Sequence, residues 1–183
     1  MARAILDRNG LWNVRVEPVA GTLTDHYDPS RKAVRLSEGN FRGSSIAAVS
    51  VAAHECGHAI QDGTGYLPMK MRAGLLPIVN VGAQLWFPLF FVGIATGGAG
   101  LGQLFIQLAV LAFAGVLAFH VVTLPVEFDA SRRAYGLLTR YGLLSRHEAG
   151  GTKRVLTAAA FTYVAAALTS MLTLLYLILV SRE

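Results

Sequence analysis

The chain has 183 residues, 54% of them hydrophobic and only 15% charged, with a mean hydropathy of +0.49. That balance argues against an ordinary soluble domain of this length. The formal net charge of +5 does not point to nucleic acid, because the cations gather at the borders of long uncharged runs, where they orient a chain in a bilayer.

In chain order, residues 2–9 predict a helix that Asn9-Gly10 ends. The N-terminus is charged and has no apolar core, so it does not read as a secretory signal. Three short β-like runs follow at 12–16, 21–26 and 33–36, with Tyr27-Asp28-Pro29-Ser30-Arg31-Lys32 as the turn between the last two. Val34 and Leu36 alternate with Arg35, as in a half-buried strand. An edge strand beside a binding site can hold an extended peptide through main-chain hydrogen bonds. Ala33, Val34, Arg35, Leu36 and Ser37 are candidates for that role, with a plain structural hairpin as the alternative.

Ser44-Ser45 can cap a helix, and the apolar run 46–53 would bury it. This leads into His54-Glu55-Cys56-Gly57-His58, an HExxH pattern. Histidines four apart lie one turn above each other on the same helical face, so both can reach one metal ion. Glu55 adjoins the first and can serve as general base for metal-assisted hydrolysis. The competing reading is a buried helix with two hydrogen-bonded histidines. Gly57 leaves room for a metal or a neighbouring element. Cys56 should point away from the metal face and pack. As the single cysteine it can form no internal disulfide, which suits a cytoplasmic face.

Residues 73–126 are 54 consecutive positions without Asp, Glu, Lys or Arg. A spanning helix needs about 20 apolar residues, so this run holds two, near 75–95 and 102–124, around the turn Thr96-Gly97-Gly98-Ala99-Gly100-Leu101-Gly102. A third uncharged run, 155–180, supplies a span at 156–180. The expected organisation is a cytoplasmic zincin-like part at 1–72, a two-helix transmembrane hairpin at 73–126, a cytoplasmic helical segment at 127–154 and a C-terminal transmembrane helix at 155–183. Lys70 and Arg72 precede the first span. Arg132, Arg133, Arg140, Arg146, Lys153 and Arg154 fill the segment between the second and third. These segments should therefore face the cytoplasm, with the Gly-rich turn and Ser181-Arg182-Glu183 outside.

A catalytic zinc usually has three protein ligands and one open position. The third ligand must lie on the same side of the membrane as His54 and His58, and two crossings return the chain there near residue 125. Glu127 is the first charged residue after the gap. Asp129 competes with it, or could accept a hydrogen bond from a ligand histidine; both could instead be plain ion pairs with the basic segment. His26, Arg132 and Tyr135 are candidates for stabilising a transition state. His120 and His147 are weaker, as an interfacial and a loop histidine.

Five runs together resemble the bacterial membrane-bound neutral zinc metallopeptidase family, the YugP type. They are Leu23-Thr24-Asp25-His26-Tyr27-Asp28-Pro29, Val34-Arg35-Leu36-Ser37-Glu38, Ala52-Ala53-His54-Glu55-Cys56-Gly57-His58-Ala59-Ile60-Gln61, Leu124-Pro125-Val126-Glu127-Phe128-Asp129-Ala130-Ser131, and Ala158-Ala159-Ala160-Phe161-Thr162-Tyr163-Val164-Ala165-Ala166-Ala167. That family is in turn similar to the HtpX and CAAX-prenyl endopeptidase type of integral-membrane gluzincin. The resemblance implies one Zn2+ on His54, His58 and Glu127 with Glu55 as base. Such proteins usually carry a further spanning helix before the N-terminal part; here Met1-Ala2-Arg3-Ala4 begins inside what reads as the soluble helix that follows it.

The expectation is a mainly α integral membrane protein with a small α+β zincin-like cytoplasmic domain and about three transmembrane helices. It would act as a zinc-dependent endopeptidase in the bacterial cell membrane, with the lipid bilayer and a protein or peptide substrate as partners and no nucleic acid. The alternative is a membrane scaffold or chaperone-like adaptor with a structural or vestigial zinc site. The intact Glu55 argues against that, since a structural site needs no base and tends to be closed by four ligands.

Overall fold

The computed structural model describes residues 1–98 and 100–182, apart from the side chain of Arg146. Ala99 of the expected turn and the terminal Glu183 lie outside the described residues. Helix α1 (Ala2–Arg8) ends where Gly10 takes a φ of +75°, a conformation that glycine adopts at little cost. Strands β1 (Arg15–Val19), β2 (His26–Asp28) and β3 (Ala33–Ser37) follow, then a short helix α2 (Glu38–Arg42) that the sequence patterning did not suggest. Helix α3 (Ile46–Gly63) starts at Ser45, whose hydroxyl accepts from the Ala48 N–H at 3.1 Å, the cap expected of a serine there.

The sheet order β1-β3-β2 corrects two expectations. First, Ala33, Val34, Arg35, Leu36 and Ser37 form the central strand. All five are in parallel register with β1, from Arg15↔Ala33 to Val19↔Ser37. Ala33, Val34 and Arg35 also pair antiparallel with β2. Beyond that ladder, the Ser37 N–H donates to Asp25 Oδ1 at 2.8 Å. A strand with both sides in use has no free ladder for a peptide. Second, two strands are displaced. The one expected at 21–26 lies at 26–28, because Tyr27 and Asp28 of the expected turn pair with Val34 and Ala33. The one expected at 12–16 lies at 15–19, because pairing with β3 begins where the Arg15 N–H donates to the Lys32 carbonyl. Trp12 is left outside the strand and exposed. Pro18 is tolerated because β1 is an edge strand.

Helices α4 (Leu67–Ala95), α5 (Leu101–Arg140) and α6 (Arg146–Val180) complete the chain. All three are long and apolar enough to cross a membrane. The 40 residues of α5 would extend about 60 Å at the usual rise per residue. That is about twice the hydrocarbon thickness of a bilayer, so only its uncharged part, ending near Leu124, is needed to span.

The chain divides into two compact units. One comprises Met1–Met69 and Pro125–Phe161, the other Lys70–Leu124 and Thr162–Glu183. In the first, α1, the sheet, α3 and the ends of α5 and α6 share a core that includes Ile5, Leu6, Val34, Cys56, Leu138 and Leu156. In the second, Phe90, Ile106, Ala109, Phe113 and Leu177 pack together. There α4 and α5 approach so closely that a Cβ on Gly82 would lie 2.8 Å from the Ala112 carbonyl oxygen. Small residues allow such contacts between spanning helices. The outward faces of this unit carry exposed Phe87, Phe91, Leu111 and Leu172, a surface suited to lipid rather than water.

Candidate metal centre

Helix α3 carries His54 and His58 one turn apart, with their rings edge to face and centroids 4.7 Å apart. Helix α5 brings Glu127 to them. Glu127 Oε2 lies 3.2 Å from His54 Nε2 and 3.6 Å from His58 Nε2. One ligand-type atom from each of the three residues falls within 4.8 Å of the others. Glu127 is only 1% exposed. The helices can meet here because residue 57 is glycine: a Cβ on it would lie 2.7 Å from the main-chain oxygen of Ala130.

A second layer of hydrogen bonds orients the rings. His58 Nδ1 donates to Gln61 Oε1 at 3.0 Å. The Gln61 amide nitrogen donates to the Val126 carbonyl at 2.8 Å and to Asp129 Oδ2 at 3.0 Å. Asp129 in turn accepts from Arg132 at 2.8 Å and from Arg133 at 2.5 Å. His54 Nδ1 is hydrogen-bonded to Ser131 Oγ at 3.2 Å. Both Nδ1 atoms are thus engaged, and both Nε2 atoms turn toward Glu127. Partners on one ring nitrogen fix which nitrogen is presented to a metal.

The electrostatics follow from burial and these contacts. Burial holds the Glu55 carboxyl above its ordinary range, against the opposing charges of His58 and His54. Burial alone would lower His58, but the Glu127 hydrogen bond and the charges of Glu55 and Glu127 outweigh it and hold His58 high. Two buried carboxylates therefore demand positive charge at this point. A proton on imidazole can supply it, and so can a divalent cation. Two imidazole nitrogens and one carboxylate oxygen form a donor set that zinc accepts, with room for a fourth ligand.

The remaining candidates are placed differently. Asp129 reaches His58 only through Gln61, not by the direct histidine contact considered from sequence, because Gln61 fills the space between them. His26 is exposed on β2 and its Nδ1 donates to the Thr24 carbonyl at 2.7 Å. Arg132 has a largely exposed side chain held by Asp129, and Tyr135 shares a cavity wall with it. Sequence reading assigned no role to Gln61, Ser131 or Asp25. Gln61 follows His58 by three residues and Ser131 follows Glu127 by four, spacings that share a helical face. Asp25 accepts from Ser37 and from Asn40, and its charge adds to the upward shift of Glu55.

The family described as "Putative neutral zinc metallopeptidase" matches residues 1–182. The chain belongs to this family. A curated relative, "Putative membrane protease YugP" of Bacillus subtilis (strain 168), is 48% identical over 180 residues, covering 98% of this chain and 78% of the relative. No solved structure matches. Family membership implies zinc, and His54, His58 and Glu127 are a group that could hold such an ion. With its three apolar helices and small sheet, this family member is a mainly α membrane protein.

Proposed function

We propose that this membrane protein is a zinc-dependent endopeptidase in which His54, His58 and Glu127 hold one zinc ion and Glu55 is the general base. The observation that carries the reading is the convergence of the two Nε2 atoms and Glu127 Oε2 from separate helices, with Glu55 next to His54 on the same helix. Zinc, when bound, supplies a Lewis acid that polarises a scissile carbonyl and makes water easier to deprotonate. Glu55 takes the proton of the attacking water and passes it to the leaving amine. A carboxyl whose affinity for protons is raised by burial suits both halves of that transfer. Gln61 and Ser131 keep the imidazoles in the orientation that presents Nε2.

The reading places the site on the cytoplasmic side of a bacterial membrane. The support is the basic residues around the spans, Lys70 and Arg72 before the first and Arg132 to Arg154 between the second and third. Segments 1–72 and 127–154 then form the cytoplasmic part, and 73–126 and 155–183 the membrane part. The substrate class is protein or peptide. Purified protein should bind zinc and cleave an unstructured protein substrate. Glu55→Gln should keep the zinc and lose about 10²–10⁴-fold in cleavage rate, the usual range for a general base. Equal cleavage by both forms would remove this mechanism.

A further inference from the structure

A cavity of about 260 Å³ lies between the ends of α5 and α6, and the proposed chemistry makes no use of it. One wall is a single face of α5, with Phe128, Ser131, Arg132 and Tyr135 at spacings of three and four. The other is a face of α6 with Lys153, Leu156, Thr157 and Ala160. The two faces are graded in the same sense. On α5, Phe128 stands two residues past the uncharged run that ends at residue 126, and Arg132 comes one turn later. On α6, Lys153 comes first, and Leu156 and Ala160 open the uncharged run 155–180. The apolar end of the cavity therefore lies where both spans leave the hydrocarbon, and the cationic end lies one turn beyond, about 6 Å along a helix axis.

The charge at that end is in surplus. Asp129 is shared between Arg132 and Arg133, so one carboxylate faces two guanidiniums. A guanidinium has five N–H donors, and Arg132, 83% exposed, has donors left for a second anion. Lys153 adds its ammonium from the facing helix. It also borders a second cavity, where Arg154 stands beside Thr157 and Ala158.

We propose that this cavity binds an anionic phospholipid, its phosphate between Arg132 and Lys153 and its acyl chain against Phe128, Leu156 and Ala160. An extended peptide fits the walls less well. Extended peptides that add as a strand dock by main-chain hydrogen bonds to a sheet edge, whereas both walls are helices whose main-chain groups are spent within the helix. A free phosphate would leave the apolar half unused. The site adjoins the metal centre, because Ser131 lines the cavity and also holds His54 Nδ1.

The test is native mass spectrometry on delipidated full-length protein, titrated separately with phosphatidylglycerol and phosphatidylcholine. Phosphatidylglycerol should bind in preference. Lys153→Gln and Arg132→Gln should each weaken it about five-fold, the effect of one cation near an anionic headgroup. Thr157→Trp fills the cavity from an exposed position and keeps every charge. It should also weaken phosphatidylglycerol binding while leaving the melting temperature unchanged. Equal binding of the two lipids, or unchanged phosphatidylglycerol affinity in Thr157→Trp or in both charge variants, would overturn the assignment. So would displacement of the lipid by equimolar inorganic phosphate or by an acidic-apolar peptide.

Discussion

At the scale of residues, the centre separates two carboxylates that stand two positions apart. Glu127 meets both histidine Nε2 atoms, while Asp129 braces Gln61 and pairs with two arginines. Glu127→Ala should therefore abolish stoichiometric zinc binding. Asp129→Ala should weaken it by about 10–100-fold, the usual effect of losing an outer partner of a ligand. Zinc titration against a competing chelator measures both, and the reverse order would exchange their roles. The HExxH pattern and Glu127 were legible because each stands out in one dimension, the first by helical period and the second as the first charge after a long gap. Gln61 and Ser131 were not, since their roles depend on which face of α5 meets α3.

At the scale of elements, two of the contacts that hold α3 in place stand out. The first is the Gly57–Ala130 approach. Gly57→Ala would put a methyl carbon 2.7 Å from a main-chain oxygen, which cannot move without shifting α5. Overpacking of this kind costs about 1–3 kcal/mol, and zinc affinity should fall along with stability. A Gly57→Ala protein with wild-type melting temperature and zinc content would mean that the helices are not held at this point.

The second contact ties α3 to the sheet. The Tyr27 hydroxyl donates to Asp62 Oδ2 at 2.6 Å, and Lys32 reaches the same oxygen at 2.6 Å. Burial first, then the Asp62 hydrogen bond, raises Tyr27 above its ordinary value of 10.0. The folded state therefore favours the protonated phenol, and its contribution is complete below pH 10.0, where the unfolded chain's tyrosine is still neutral. The contribution declines as pH rises beyond that. Tyr27→Phe should lower stability at neutral pH by about 1.5–3 kcal/mol, the range for a hydrogen bond to a charged group. It should also remove this tyrosine's share of the alkaline decline, which denaturant unfolding at pH 8 and pH 11 would show. An unchanged decline in Tyr27→Phe would assign it to other groups.

At the scale of the whole molecule, one compact unit is assembled from two stretches of chain, and the run between them, residues 70–124, belongs to the other unit. This explains why 68 positions separate His58 from Glu127 although their side chains meet. A compact soluble site would not need so long an insertion, whereas a membrane hairpin does. The proposed orientation predicts that a reporter fused after residue 182 is active only on the outer side. A reporter inserted in the 141–145 turn should be active only inside. The opposite pattern would invert the topology while leaving the centre intact.

The sequence by itself determined the spans, the capped HExxH helix and the family resemblance. Hydropathy, helical period and local capping are properties of short stretches that no distant contact has to supply. Tertiary structure alone decided that Ala33–Ser37 is a central strand, that Asp129 braces Gln61 and not a histidine, and that Gln61 and Ser131 orient the imidazole rings. Strand order and cross-helix partners depend on contacts between residues far apart in the chain, and composition and period carry no record of those contacts.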